Sequence, residues 1–114
     1  MIGWIIGGLI AAIAVAALWD TFAPFVKDTV ERAKEIFRSA FRYFRCFIKR
    51  VGSRIVGIVR SFVTQTTGTT GFMEETREIP ESEIPEDIFA RVKNSNGQLV
   101  DVTDNEELKL AVGF

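Results

Sequence analysis

Residues 20–63 read DTFAPFVKDTVERAKEIFRSAFRYFRCFIKRVGSRIVGIVRSFV, and the period assigned to this run decides the fold class. Its first half favours a helix. Asp20 and Thr21 are candidate N-caps, and Pro24 suits a first helical turn, where its missing N–H costs nothing. Asp28 and Arg32, Glu31 and Lys34, and Glu35 and Arg38 are spaced as helical neighbours of opposite charge. At about 100° per residue, Phe37, Ala40, Phe41, Phe44, Phe47 and Ile48 fall in one arc of about 120°, while Arg38, Arg42, Arg45 and Lys49 fall in a separate arc of about 60°. The rhythm continues through Val51, Ile55, Ile58 and Phe62, with Gly52 and Gly57 as weak points where the rod can kink. The pattern predicts one basic amphipathic helix over residues 24–63, roughly 60 Å long.

Three uses suit such a helix. The phenylalanine stripe can be a packing face with the basic row as its solvated flank. Alternatively, the helix can lie on a membrane, with its rings in the acyl boundary and Arg38, Arg42, Arg45 and Lys49 on anionic lipid or on the acidic tail. Nucleic acid is disfavoured, because the rings face away from the basic row and the chain carries a net charge of −1. Cys46 sits between the stripes, has no second cysteine to pair with, and reads as a small buried filler.

Upstream, residues 1–19 (MIGWIIGGLIAAIAVAALW) carry no charge, whereas residues 20–64 hold ten Lys or Arg against four Asp or Glu. Nineteen residues of helix reach roughly 28 Å, close to the thickness of a bilayer's hydrocarbon core. Trp4 and Trp19 stand near the two ends as candidate interface anchors. No basic residue precedes the run, which argues against a signal peptide. A helix apolar all round is also hard to cover in so small a domain. The reading is therefore a single-pass membrane protein. Its N-terminus is expected outside and its C-terminus cytoplasmic, because the basic cluster follows the span. Gly3, Gly7 and Ala11, and Gly8, Ala12 and Ala16, repeat a four-residue step of small side chains that lets helices approach closely in lipid.

Downstream, residues 65–114 hold four basic against eleven acidic side chains. Residues 64–76 are Thr- and Gly-rich and read as a linker; their GTTG lacks the Gly-Lys-Ser/Thr ending of a phosphate loop. In the tail, Pro85 can open a helix with Glu86 and Asp87 at its positive end and Ile88, Phe89 and Val92 on one face. Asn94–Gly97 would stop it, and residues 98–102 alternate like a short strand. Thr103 with Glu106 has capping-box spacing for a last helix. A hairpin across Asn96-Gly97 is the rival arrangement. Asp101, Asp104, Glu106 and Glu107 lack the order of a calcium loop and read as a solvated acidic turn.

Catalytic chemistry is sparse. The chain has no histidine and one cysteine, which removes the commonest general base and the thiolate clusters of zinc and iron–sulfur centres. No nucleophile elbow or dinucleotide fingerprint is present. No catalytic residue, cofactor or metal is expected, and the chain is read as a non-enzyme.

The sequence thus predicts a mainly α protein in four parts: a transmembrane helix (1–19), a basic amphipathic helical region (20–63), a linker (64–76) and a small acidic α(+β) module (77–114). The expected function is that of a membrane-anchored, self-associating scaffold whose acidic tail contacts its own basic helix or a protein partner. The alternatives are an oligomeric pore-forming effector and a soluble oligomeric regulator that buries its apolar leader. Membrane lipid and a second copy of the chain are the expected partners, with no nucleic acid.

Overall fold

The computed structural model describes residues 18–113. They form α1 (Phe22–Phe37), β1 (Phe41–Val51), β2 (Arg54–Thr64), β3 (Thr70–Ile79), α2 (Glu86–Lys93), β4 (Val100–Asp101) and α3 (Glu106–Val112). The four strands make one antiparallel sheet in the order β3-β2-β1-β4. The mainly α expectation is overturned.

The long helix ends at Phe37. Arg38 takes a left-handed φ of 49° while its N–H still bonds the Lys34 carbonyl, and a short 3₁₀ turn then delivers the chain into β1. Beyond this point the sequence is dense in aromatic and β-branched residues, which suit a pleated surface better than a helix. Gly52 and Ser53 form a two-residue hairpin turn between β1 and β2. Gly52 takes the positive φ of 64°, as the first central residue of a type II′ turn does. Of the stretch read as a linker, only residues 65–69 form the turn from β2 to β3.

Strand period sorts the side chains onto two faces. Cys46 and Ile48 of β1, Ile55 and Val59 of β2, Ile79 of β3 and Val100 of β4 point into a core closed by Trp19, Phe22, Val26 and Val30 from α1 and its approach. Ile84, Ile88 and Val92 around α2, and Leu108 and Val112 of α3, complete it. Gly57 lies where Phe22 presses on the sheet. In the tail, α3 is capped by Asn105, whose Oδ1 accepts the Leu108 N–H at 3.0 Å. Thr103, expected to cap, instead donates its hydroxyl and N–H to Asp101.

The membrane placement is also corrected. Among the described residues no helix is long and apolar enough to cross a membrane. The end of the expected span, Leu18–Trp19, is a turn, and Trp19 is fully buried in the core instead of standing at a headgroup level. Its N–H donates to the Glu83 carbonyl at 2.7 Å and its indole Nε1 to Asn105 Oδ1 at 3.0 Å. Trp4 and the small residues Gly3, Gly7, Gly8, Ala11, Ala12 and Ala16 lie outside the described residues.

Cys46 is 1 % exposed, and burial, with Asp101 nearby, pushes its thiol up to about 12. The native chain is expected to resist thiol reagents at about pH 8 and to react at once when denatured, because thiolate and access are both missing in the fold. Labelling that is equally fast in both states would contradict this packing. A folded value above the ordinary 9.0 also means that the unfolded chain sheds this proton first. The thiol's contribution to stability is thus intact below about pH 9 and declines towards about pH 12.

Candidate functional site

The helices cover one side of the sheet. On the other side the pairing register sets out rows across β1, β2 and β3: Tyr43, Phe62, Phe72; Arg45, Arg60, Glu74; Phe47, Ile58, Thr76; and a fourth of Lys49, Val56, Glu78. Asp101 of β4 extends the face beside Phe47.

The first row is a run of rings. Tyr43 stacks on Phe62 with centroids 4.7 Å apart and 15° between planes, and Phe62 tilts against Phe72 at 5.4 Å. Tyr43 and Phe72 are each 51 % exposed. A β-bulge between Phe41 and Tyr43 makes this row possible. Without it the two residues would share a face; the shift turns Phe41 inward against the core and Tyr43 outward. Arg42, at the bulge, donates its Nε to Thr64 Oγ1 at 2.5 Å.

The arginines behind the rings are mostly neutralised in place. Arg60 lies over the rings of Phe47 (5.1 Å) and Phe72 (4.8 Å) and donates Nε to Glu74 at 2.7 Å. Arg54 approaches Glu78 at 3.7 Å. Arg45 donates Nε (3.1 Å) and Nη2 to Asp101 and stands 4.0 Å from Asp104. Burial works against the Asp101 carboxylate, but the hydroxyl and N–H of Thr103 and the Arg45 guanidinium outweigh it and hold its carboxyl below the usual range. The same hydrogen bond, acting against desolvation, raises Arg45. These exposed pairs fix side chains on the surface more than they stabilise the fold.

The expected apolar stripe is split between the faces. Phe41, Phe44 and Ile48 belong to the core side, Phe47 to the open face, and Phe37 sits half-buried at the end of α1. Of the expected basic row, Arg42, Arg45 and Lys49 share the open face, while Arg38 is exposed in the 3₁₀ turn. Tyr43, Arg60, Phe72 and Glu74 are not singled out by the sequence reading, and Phe62 enters it only as a continuation of the helical rhythm. The density of β-branched and aromatic residues over 41–51 and 54–64, with the Gly52-Ser53 pair between the two runs, is the signal that points to them.

Beside β4, Arg45, Asp87, Arg91, Asp101 and Asp104 line an open cleft of about 490 Å³, in which acids alternate with arginines. No group of three or more potential metal ligands occurs among the described residues. No protein-family model matches this chain, and no curated protein or solved structure matches it either.

Proposed function

We propose that the chain is a small structural and interaction protein that works by self-association, and that the open face of its sheet is where two copies meet. The observation that carries this reading is the row Tyr43, Phe62, Phe72, three packed rings of which the outer two are half exposed, on a sheet whose other face is filled. A preformed aromatic platform loses little side-chain entropy on binding, and its ring area contributes most of the available hydrophobic stabilisation. The arginines around it are paired with carboxylates of neighbouring strands, which leaves a face suited to protein and poor for a polyanion.

Size is consistent with a second copy as the occupant. Three strands of ten or eleven residues, at about 3.3 Å per residue and about 4.8 Å apart, give a footprint of roughly 500 Å² per copy. Two such footprints reach about 1,000 Å², the lower bound for a specific interface, so the expected dissociation constant is on the order of micromolar.

Sedimentation equilibrium of the intact chain, beside Phe72→Asp and Tyr43→Asp, tests this. Both rings are half exposed, so the variants should keep the fold, as circular dichroism would verify. The apolar leader is present in all three proteins, so a difference between them reports the face alone. The wild type should dimerise and both variants should be monomers over the same range. If the variants match the wild type in mass, or if all three stay monomeric at roughly 100 μM, the reading falls. Capture of a single-stranded oligonucleotide by a monomeric wild type would replace it with nucleic-acid binding.

A further inference from the structure

The rows of the open face carry more than the fact of contact. From left to right they run Tyr43 to Phe72, Arg45 to Glu74, Phe47 to Thr76 and Lys49 to Glu78, so that β1 is cationic and β3 acidic at matching heights. Two identical sheets stacked face to face with strands roughly aligned can be related by a twofold axis lying across the strands or along them. An axis across the strands keeps β1 over β1, bringing Arg45 and Lys49 of one copy onto the cationic strand of the other. An axis along the strands keeps each row at its height and reverses its order.

We infer that the chain forms a twofold dimer with the axis parallel to β2, so that β1 of each copy lies over β3 of the other. This rests on the self-association proposed above and names its geometry. Phe62 then meets its own symmetry mate on the axis, and Tyr43 stands opposite Phe72 of the other copy. Arg45 stands opposite Glu74, and Lys49 opposite Glu78. The outer strands complement each other in sign of charge; on the axis Arg60 meets its own mate, each guanidinium already paired with Glu74 of its own copy at 2.7 Å. Each contact off the axis occurs twice by symmetry, as an isologous interface requires. Lys49 has no carboxylate partner among the described residues, while the Glu78 side chain is 61 % exposed and only loosely held by Arg54 at 3.7 Å. These two groups have the most to gain from the second copy.

Two single variants test the geometry without touching the core: Lys49→Glu and Glu78→Lys, measured by sedimentation alone and as an equimolar mixture. Each alone places like charges opposite one another twice and should weaken the dimer by at least about tenfold. In the mixture, the carboxylate introduced at position 49 of one copy faces the ammonium introduced at position 78 of the other, which is the native pair with reversed sign, and at the second contact an unchanged Lys49 faces an unchanged Glu78. A mixed dimer approaching wild-type strength supports the arrangement. If the wild type dimerises and Phe72→Asp breaks it, yet the charge variants have no effect or the mixture is no stronger than its parts, this geometry is wrong while self-association stands. If the wild type is monomeric, both fall.

Discussion

Replacing Trp19 by alanine is expected to cost about 3–5 kcal/mol of folding stability, the range for emptying a buried aromatic site. The indole is fully buried between Phe22, whose ring centroid lies 5.7 Å away, and the segment that carries α3. It also joins distant parts of the chain, because its Nε1 donates to Asn105 Oδ1, the same oxygen that caps α3 through the Leu108 N–H. Beside it, the N–H and hydroxyl of Thr21 both donate to the Glu83 carboxylate at 2.7 Å. Trp19→Phe separates the two contributions, since it keeps most of the volume and loses one hydrogen bond, for about 1–2 kcal/mol. Trp19 holds a φ of 59°, which costs an L-residue on the order of 1 kcal/mol. Glycine would relieve that strain, but the lost ring outweighs it. Urea unfolding of the intact chain measures all three. If alanine at this position shifted stability by less than about 1 kcal/mol, the indole could not be a fully packed part of the core.

That same residue shows why the sequence misled at its first step. An uncharged run flanked by two tryptophans satisfies the length rule for a span, and the rule sees only composition. It has no means of detecting that Glu83 and Asn105, more than sixty residues downstream, supply a carbonyl and an amide oxygen to the second tryptophan. The tail was more legible because its signals are local. Proline before α2, acids in its first turn and Asn-Gly after it each act on their own backbone.

Residues 37–64 failed for a different reason, which is arithmetic. In a strand, Tyr43, Arg45, Phe47 and Lys49 share a face because their spacing is two. On a helical wheel the phenylalanines at 37, 41, 44 and 47 share one because their spacing is three or four. The bulge after Phe41 makes the confusion worse, since it shifts the strand's own period by one residue and puts Phe41 and Phe44 on the same side. Composition was the better guide: FRYFRCFIKRV and RIVGIVRSFVT are rich in β-formers and joined by Gly-Ser, a two-residue hairpin signal. Two of the open face's rings were invisible even so. The helical period carries Phe62 along with it, and Phe72 falls in the Thr- and Gly-rich stretch that reads as a linker. Their meeting with Tyr43 depends on a three-strand register that no local pattern encodes.

Gly57 reads in the sequence as a weak point of a helix, and in the sheet its replacement by alanine is expected to have the opposite sign to the usual one. Glycine inside a strand is normally a loss of about 0.5–1 kcal/mol relative to alanine, so at an open position Gly→Ala would stabilise. At this position a Cβ would stand 2.5 Å from the Phe22 ring and closer still to Ile79 Cδ1. Both side chains are buried, Phe22 completely, and neither has solvent to swing into. Overpacking of this kind costs about 1–3 kcal/mol for one methyl and more for a branched side chain, so the clash wins over the backbone gain. Gly57→Ala should therefore destabilise by about 2 kcal/mol, and Gly57→Val should leave too little stability for a cooperative transition. Because α1 rests on the sheet at this point, a smaller residue in the helix should make room: Gly57→Ala with Phe22→Leu is expected to lose less than the sum of the two single changes. Urea midpoints of the four proteins give the coupling directly. Additivity within about 0.3 kcal/mol, or a stabilised Gly57→Ala, would mean that the helix does not press on the sheet at this glycine.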